Sequence, residues 1–362
     1  MKKVLLTVNN NRLSGIEKYT LLLAEYLDKD KYKVEIGIPT FGSFCKILEE
    51  KKIDYFIFDN KVNGRFTLSG LKFLFKKIFK EKYDIIHAQA GIAPCVIGKL
   101  TGIGFLVEHK HGLDFTTEQI NKLNTFRRYY EKSKKYFVNQ TITVCEADKM
   151  TLIEKFGYKD RKVKAIYNGI ENLPYSTLPK DNKKIIIGTI GRLTYQKGQE
   201  YFIEMAKILK DKGFDFEYHI YGDGEKMNEY KLQIEYLNLH DSVFLKGYSK
   251  NVPGVLNTFH IFVLPSRYEG IPYVILEAMK ESVPIICTDV GGISEVIVSN
   301  HNGILVKKED ASELAEKVLE LNDSKELIKR ITDNAKKDFE EKYTIDKTLN
   351  AIENIYSENK QF

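Results

Sequence analysis

VLPSRYEGIPYVILE, residues 263–277, is the stretch on which the fold turns. A short apolar strand, Ile261 to Leu264, ends at Pro265 and opens into the polar turn Ser266-Arg267-Tyr268-Glu269-Gly270. Pro272 then pre-sets the first turn of a helix, since its ring fixes φ and its missing N–H would go unpaired there anyway. A strand, a glycine-bearing turn and a helix N-terminus make a ready anion site, where free backbone N–H groups and the helix dipole both face a ligand. Two carboxylates bracket it. Glu269 lies in the turn, and Glu277 lies roughly 7–8 Å along the helix axis from Pro272. One carboxylate can meet a ligand at the helix mouth and the other along the flank. Taken alone, the same residues also suit an ordinary βα turn with two surface glutamates.

The surrounding sequence repeats the pattern. Ile185–Ile190 leads to Gly191-Arg192-Leu193-Thr194-Tyr195-Gln196-Lys197-Gly198, then to a helix from Glu200 to Leu209. Tyr218–Tyr221 exits into Gly222-Asp223-Gly224, Val243–Leu245 into Lys246-Gly247-Tyr248, and Ile285–Cys287 into Thr288-Asp289-Val290-Gly291-Gly292. Strand C-termini of a parallel sheet share one edge, so these glycine turns line a single crevice. Ile304–Val306 is the last strand, and helices at 311–321 and 346–356 close the chain.

The first half alternates in the same way. Strands are expected at Val4–Val8, Val34–Ile38, Tyr55–Phe58, Ile85–Ala88, Phe105–Val107, Ile142–Val144 and Val163–Ile166, with helical segments between them. The loop Asn9–Ser14 and Gly15 precedes a helix marked by Tyr19, Leu22, Leu23, Tyr26 and Leu27; it is not a GxGxxG dinucleotide fingerprint. Glu108-His109-Lys110-His111-Gly112 follows a strand end, where open α/β sheets bind ligands. A metal site there would need a third ligand, and none is identifiable. Leu71, Leu74, Phe75, Ile78 and Phe79 are read as one core-facing stripe with lysines opposite. Phe126 to Phe137 mixes aromatics and cations without a clean stripe, which points to an interfacial surface for anionic lipid.

With 362 residues, the chain is long enough for two cores. The expected division is a domain at 1–172, a proline-bearing linker at 173–183, a second domain at 184–340, and a C-terminal helix at 341–362 that returns to the first domain. No apolar run approaches the roughly 20 residues of a membrane-spanning helix. Cys45, Cys95, Cys145 and Cys287 form no CxxC pair, which fits a reducing cytoplasm. Residues 1–172 hold 31 Lys and Arg against 20 Asp and Glu, while the remainder is net negative. That asymmetry suggests an anionic partner for the first half. No nucleic-acid-binding motif accompanies it, so a membrane surface is expected, with the protein peripheral on the inner face of the plasma membrane.

GRLTYQKGQE, IYGDGE, FLKGY, VLPSRYEGIPYVILEAM, VPIICTDVGGISEVI and HNGILV stand in the order and spacing of the retaining glycosyltransferases of family 4. SGIEKYTLLLAEYL, DIIHAQ, EHKHGLD and IYNGIEN continue the resemblance through the first half. It implies the GT-B fold: two Rossmann-like β/α/β domains facing across a cleft. Arg192 and Lys197 resemble the cations that neutralise the donor pyrophosphate, and their chemistry suits it. Gly270, Ile271, Pro272 and Tyr273 would bring backbone N–H groups to the same anion. Glu269 resembles the carboxylate facing the donor sugar, and Glu277 the one accepting both ribose hydroxyls. Gly15, Gly191, Gly222, Gly247 and Tyr248 complete the donor set. His111 resembles the first-domain histidine that contacts the sugar, with His109 as the alternative.

The implied reaction moves a sugar from a nucleotide-sugar donor, UDP-linked by preference, to an acceptor hydroxyl with retained configuration. The acceptor class is a lipid-linked or envelope-polysaccharide intermediate, and neither a metal nor a cofactor is expected. Ser14-Gly15 stands where the family often has a glycine pair, and Ser282 where glycine is common. A UDP-sugar 2-epimerase and a non-catalytic sugar-nucleotide-binding partner are the alternatives; intact Arg192, Lys197, Glu269 and Glu277 speak against the latter.

Overall fold

Apolar β-branched runs flanked by glycine turns leave both sheet faces buried, which is the condition of parallel sheets covered by helices. The computed structural model describes residues 1–60, 67–102, 104–113, 120, 122–173 and 184–358; the expected linker lies almost wholly outside them. The chain forms two compact units, residues 1–168 with 345–362, and residues 169–344.

The first unit contains β1 (Lys2–Thr7), β2 (Tyr32–Ile38), β3 (Tyr55–Ile57), β4 (Ile85–Ala88), β5 (Phe105–Lys110), β6 (Gln140–Thr143) and β7 (Val163–Ala165). They pair in the order β3-β2-β1-β4-β5-β6-β7, all parallel. Leu5, Ile86 and Leu106 from adjacent strands pack with Leu74 and Ile78 of the helix Leu68–Glu81. Full burial of each such side chain contributes about 1.5–3 kcal/mol. The helix Ile345–Ser357 belongs to this unit: Lys2 Nζ donates to the Tyr356 carbonyl at 3.0 Å, and the Asp28 N–H to Glu353 Oε1 at 3.2 Å.

The second unit contains β8 (Ile186–Ile190), β9 (Glu217–Tyr221), β10 (Val243–Gly247), β11 (Ile261–Leu264), β12 (Ile285–Thr288) and β13 (Ile304–Val306), in the order β10-β9-β8-β11-β12-β13. Its core joins Ile187, Val263 and Ile286 to Phe202, Met205, Leu314, Val318 and Ile331 from the covering helices. Residues 169–172 join this unit through the N–H of Ile170, which donates to the Tyr343 carbonyl at 3.0 Å. Two doubly wound sheets are what the strand–glycine–helix alternation predicts, and they make the GT-B pair of Rossmann-like domains.

Several local expectations change. An 18-residue helix, Lys325–Lys342, packs Leu327 and Ile331 into the second core, and the sequence reading did not include it. Pro272 is the N-cap of the helix Tyr273–Lys280, one residue before the first helical position assigned to it. Ser282, read as a packing variation, has φ +54°, so the backbone itself explains why glycine suits that position. On Leu68–Glu81 only Gly70, Leu74 and Ile78 are buried; Phe75 and Phe79 are 43% and 59% exposed and stack on each other beside Lys72, Lys76 and Lys80. The expected stripe is therefore split: a narrow line faces the core, and two phenylalanines face outward among lysines.

The aromatic-cationic segment also resolves into parts. Phe126, Tyr129 and Tyr136 are exposed, but Lys134 pairs with buried Glu131 at 2.7 Å and Lys135 donates to the Phe156 and Gly157 carbonyls at a helix end. Those two lysines serve the interior and not a surface patch.

Candidate active site

In the second sheet the chain runs outward from β8 to β9 and β10, then crosses back to β11 on the opposite side of β8. The crevice beyond the carboxyl ends of β8 and β11 is therefore a topological switch point, where open α/β sheets bind ligands. Residues 191–198 leave β8 and residues 265–272 leave β11, so topology alone brings Gly191, Arg192 and Lys197 to Glu269.

Lys197 and Glu269 form an ion pair through Nζ and Oε1, with side chains 14% and 6% exposed. Ser266 Oγ donates to the same Oε1 at 2.8 Å, while Gln196 Nε2 donates to the Tyr268 carbonyl at 3.1 Å and Glu269 Oε2 at 3.4 Å. A carboxylate so supplied is held in one orientation by donors from both turns. Arg192 is exposed and takes part in no side-chain ion pair among the described residues. Its guanidinium remains available for a diphosphate, whereas Lys197 must share its three N–H groups between Glu269 and a ligand.

Close backbone packing explains two glycines here. Gly198 has φ +62°, and a Cβ on it would lie 2.3 Å from the Pro265 carbonyl oxygen. Gly291 has φ +55°, and its Cβ would lie 1.9 Å from the carbonyl oxygen of Glu269. Any side chain at either position would push the two loops apart. Further along the edge the Gly191 N–H donates to the Tyr221 carbonyl at 3.0 Å and the Gly222 N–H to the Gly247 carbonyl at 2.9 Å, so the glycine turns are bonded to one another. Tyr248 is exposed beside them. Gly270 and buried Ile271 lead to the N-terminus of Tyr273–Lys280, which no side chain caps, and Glu277 is buried within that helix.

Arg267, in the same turn as Glu269, received no role from the sequence. Its Nε binds Glu309 at 2.6 Å, Nη1 binds Glu200 at 2.8 Å and the Tyr195 carbonyl at 2.7 Å, and Nη2 binds the Tyr201 hydroxyl at 2.7 Å. The guanidinium lies over the Tyr195 and Tyr201 rings, 4.0 and 4.8 Å from their centroids. This fork anchors the β11 turn to the β8 turn and the helix Gln199–Asp211. Ser266 and Gln196 were likewise missed, and the only available signal was their adjacency to residues already singled out.

The first sheet has its own switch point between β1 and β4. Gly15 opens the helix Gly15–Tyr26 after β1, with Ser14 as N-cap donating its hydroxyl to the Glu17 carboxylate. One turn along, Tyr19 sets its ring edge-on to both His109 and His111, at 4.8 and 4.9 Å between centroids. His109 and His111 stack at 4.3 Å and 9°, and His87 of β4 stacks on His109 at 5.3 Å and 4°. β5 runs through Lys110, so His109 is a buried strand residue, not a loop residue as expected. His111 lies just past the strand end, less buried, with Nε2 2.9 Å from Gln89 Oε1. Burial pushes the His87 and His111 pKa values down to about 3 and that of His109 well below the ordinary imidazole value. All three are neutral at pH 7 and act as hydrogen-bonding imidazoles, not as phosphate-binding cations. Between the two candidates, exposure favours His111 over His109.

Among the described residues no group of three or more His, Cys, Asp or Glu is placed to hold a metal ion, and no helix is long and apolar enough to cross a membrane.

Two family models match the chain. "Glycosyltransferase Family 4" covers residues 13–172 and "Glycosyl transferases group 1" residues 176–338. The chain is 24% identical over 363 residues to UDP-Gal:alpha-D-GlcNAc-diphosphoundecaprenol alpha-1,3-galactosyltransferase of Escherichia coli, covering 95% of this chain and 94% of that protein. It is 26% identical to the capsular polysaccharide biosynthesis glycosyltransferase CapM of Staphylococcus aureus, covering 90% and 95%. The crystal structure of Anabaena Alr3699/HepE in complex with UDP-glucose superposes with a TM-score of 0.85 at 21% identity, covering 99% of this chain and all of that one.

Proposed function

The chain belongs to glycosyltransferase family 4, and from that premise we propose that it transfers a hexosyl group from a UDP-sugar to a hydroxyl of a lipid-linked or envelope-polysaccharide intermediate, with retention and without a metal. The observation that carries this reading is the meeting of Lys197 with Glu269 at the β8/β11 switch point, beside an exposed Arg192 that forms no side-chain ion pair among the described residues. The donor class is supported by the UDP-galactose named for the Escherichia coli relative and the UDP-glucose bound to the Anabaena protein. The acceptor class is supported by the diphosphoundecaprenol and capsular roles in the relatives' names.

In this mechanism Arg192 forks onto the diphosphate and Lys197 bridges phosphate and Glu269, while Glu277 accepts the ribose hydroxyls. The bond from the anomeric carbon to the diphosphate oxygen breaks, and its electron pair leaves with the nucleotide. The acceptor oxygen forms the new glycosidic bond and passes its proton to the departing diphosphate oxygen. Charge grows on the leaving diphosphate, so the two cations stabilise the transition state more than the ground state. Glu269, held by three donors, orients the sugar and stabilises positive charge near the reacting carbon.

The protein acts at a membrane surface in this proposal. Phe75 and Phe79 with Lys72, Lys76 and Lys80 make an outward apolar-cationic face, and Phe126 and Tyr129 expose a second aromatic pair.

A thermal-shift screen against UDP-, GDP- and ADP-sugars tests the donor, because a binder raises apparent stability by mass action. Product NMR with a prenyl-diphosphate-linked sugar acceptor, in the presence of a chelator, tests retention and metal independence. Failure of every nucleotide sugar to stabilise the protein would overturn the reading. A free epimer formed without acceptor would favour the epimerase instead.

A further inference from the structure

Tyr356 is fully buried in the C-terminal helix, and its hydroxyl lies 2.7 Å from His87 Nδ1, 269 positions away in sequence. His87 Nε2 lies 3.2 Å from His109 Nδ1. Both nitrogens of His87 are thus engaged, and a neutral imidazole offers one donor and one acceptor. The chain of bonds therefore has two possible directions.

In one direction Tyr356 donates to His87 Nδ1, and His87 donates from Nε2 to His109 Nδ1. His109 then carries its proton on Nε2, which is buried without a partner among the described residues. In the other direction every donor reverses. The Tyr356 hydroxyl, whose hydrogen bond to His87 is its single one among the described residues, would then hold a buried proton with no acceptor, and His109 Nε2 would be an unpaired acceptor. The first direction leaves one buried polar group unsatisfied and the second leaves two, at about 1–3 kcal/mol for each. The first direction wins.

His109 is in turn the ring against which His111 stacks at 4.3 Å, with Tyr19 edge-on to both. We propose that Tyr356 is a positioning residue for His111: its hydroxyl fixes the tautomer and plane of His87, His87 fixes His109, and the stacked His109 ring sets the plane of the imidazole that meets the sugar. The helix Ile345–Ser357 thereby completes the first unit's site. The role assigned to His111 rests on the transferase reading; the tautomers of His87 and His109 do not.

The test combines long-range 1H–15N NMR of histidine-labelled protein with kinetics of Tyr356→Phe, which keeps the ring and its packing on Tyr32 and removes one hydroxyl. Wild-type His87 and His109 are expected as Nε2–H tautomers. In Tyr356→Phe the His87 signal shifts to the Nδ1–H form or a mixture, and kcat falls about tenfold, the scale of a misplaced contact group, with donor KM unchanged. An Nδ1–H tautomer at wild-type His87 overturns the proposal, as do unchanged tautomers in the variant or a rise in KM at constant kcat. If the wild type transfers no sugar, the transferase reading fails while the tautomers still decide the Tyr356 relay.

Discussion

Lys197 Nζ and Glu269 Oε1 join the carboxyl ends of two adjacent parallel strands, β8 and β11, that are 71 residues apart at their nearest ends. Neither group is spare at rest. The cation expected to neutralise a diphosphate neutralises a carboxylate, and the carboxylate expected to face a sugar is held by that cation. On the proposed reading the pair links the diphosphate to the sugar: whatever draws Lys197 toward phosphate also changes the hydrogen bonding of Glu269.

Lys197→Ala is expected to lower kcat about 10²–10³-fold, the cost of losing one preorganised donor to a developing anion. It also leaves a buried carboxylate unpaired, at about 3–5 kcal/mol. The double variant Lys197→Met/Glu269→Gln should recover stability and not activity. Unchanged kcat in the single variant would show the cation to be misassigned.

Glu277→Gln should weaken binding of free UDP about 10-fold or more by calorimetry, since an amide oxygen replaces a charged acceptor. Turnover of saturating donor should change less. Equal UDP affinity would refute the ribose role.

Arg267→Lys should destabilise the protein by about 2–4 kcal/mol, because an ammonium cannot span Glu200, Glu309 and the Tyr201 hydroxyl or lie flat on two tyrosine rings. Loosening of the β11 turn should lower kcat/KM together with the melting temperature.

Acid should weaken the first unit early. His87 and His111 titrate near 3 when folded and near 6.5 when unfolded, so the unfolded chain binds more protons between those values and stability falls as pH drops through that window. Each contributes about 1.4 kcal/mol per pH unit there. Urea midpoints followed by circular dichroism at pH 7.5 and 5.5 check this, and equal midpoints would show the stack to be protonated or open to water.

Phe75→Ser with Phe79→Ser should reduce binding to phosphatidylglycerol vesicles at least about tenfold, since each ring offers up to about 2 kcal/mol of burial, while UDP affinity stays constant. Replacing Lys134 and Lys135 would confuse the result, because both hold internal carboxylate and carbonyl groups. Unchanged vesicle binding would make the outward phenylalanines ordinary surface.

The edge of the second sheet was legible because glycine after an apolar run has a local cause: Gly198 and Gly291 take φ +62° and +55°, which L side chains rarely adopt. Ile261–Leu264 and Ile304–Val306 fall where the pattern put them for the same reason. Phe75 and Phe79 misled it: a 3.6-residue period says which residues share a face, not how much of that face a neighbour covers. Lys134 and Lys135 misled it differently, since charge is local and its partner, Glu131 or a helix carbonyl, is not visible as such in one dimension.

By itself, the amino-acid sequence determined two doubly wound α/β units, a strand-exit edge in each, one carrying Arg192, Lys197 and Glu269 and the other His111, and a family. These follow from periodicity, turn chemistry and short motifs, all of which act over a few residues. Tertiary structure alone decided that Lys197 is spoken for by Glu269, that Arg267 anchors the turn between them, and that Tyr356 reaches His87. Partners of that kind are chosen by sheet order and by burial, which leaves a polar group no option but the donor or acceptor the fold brings to it.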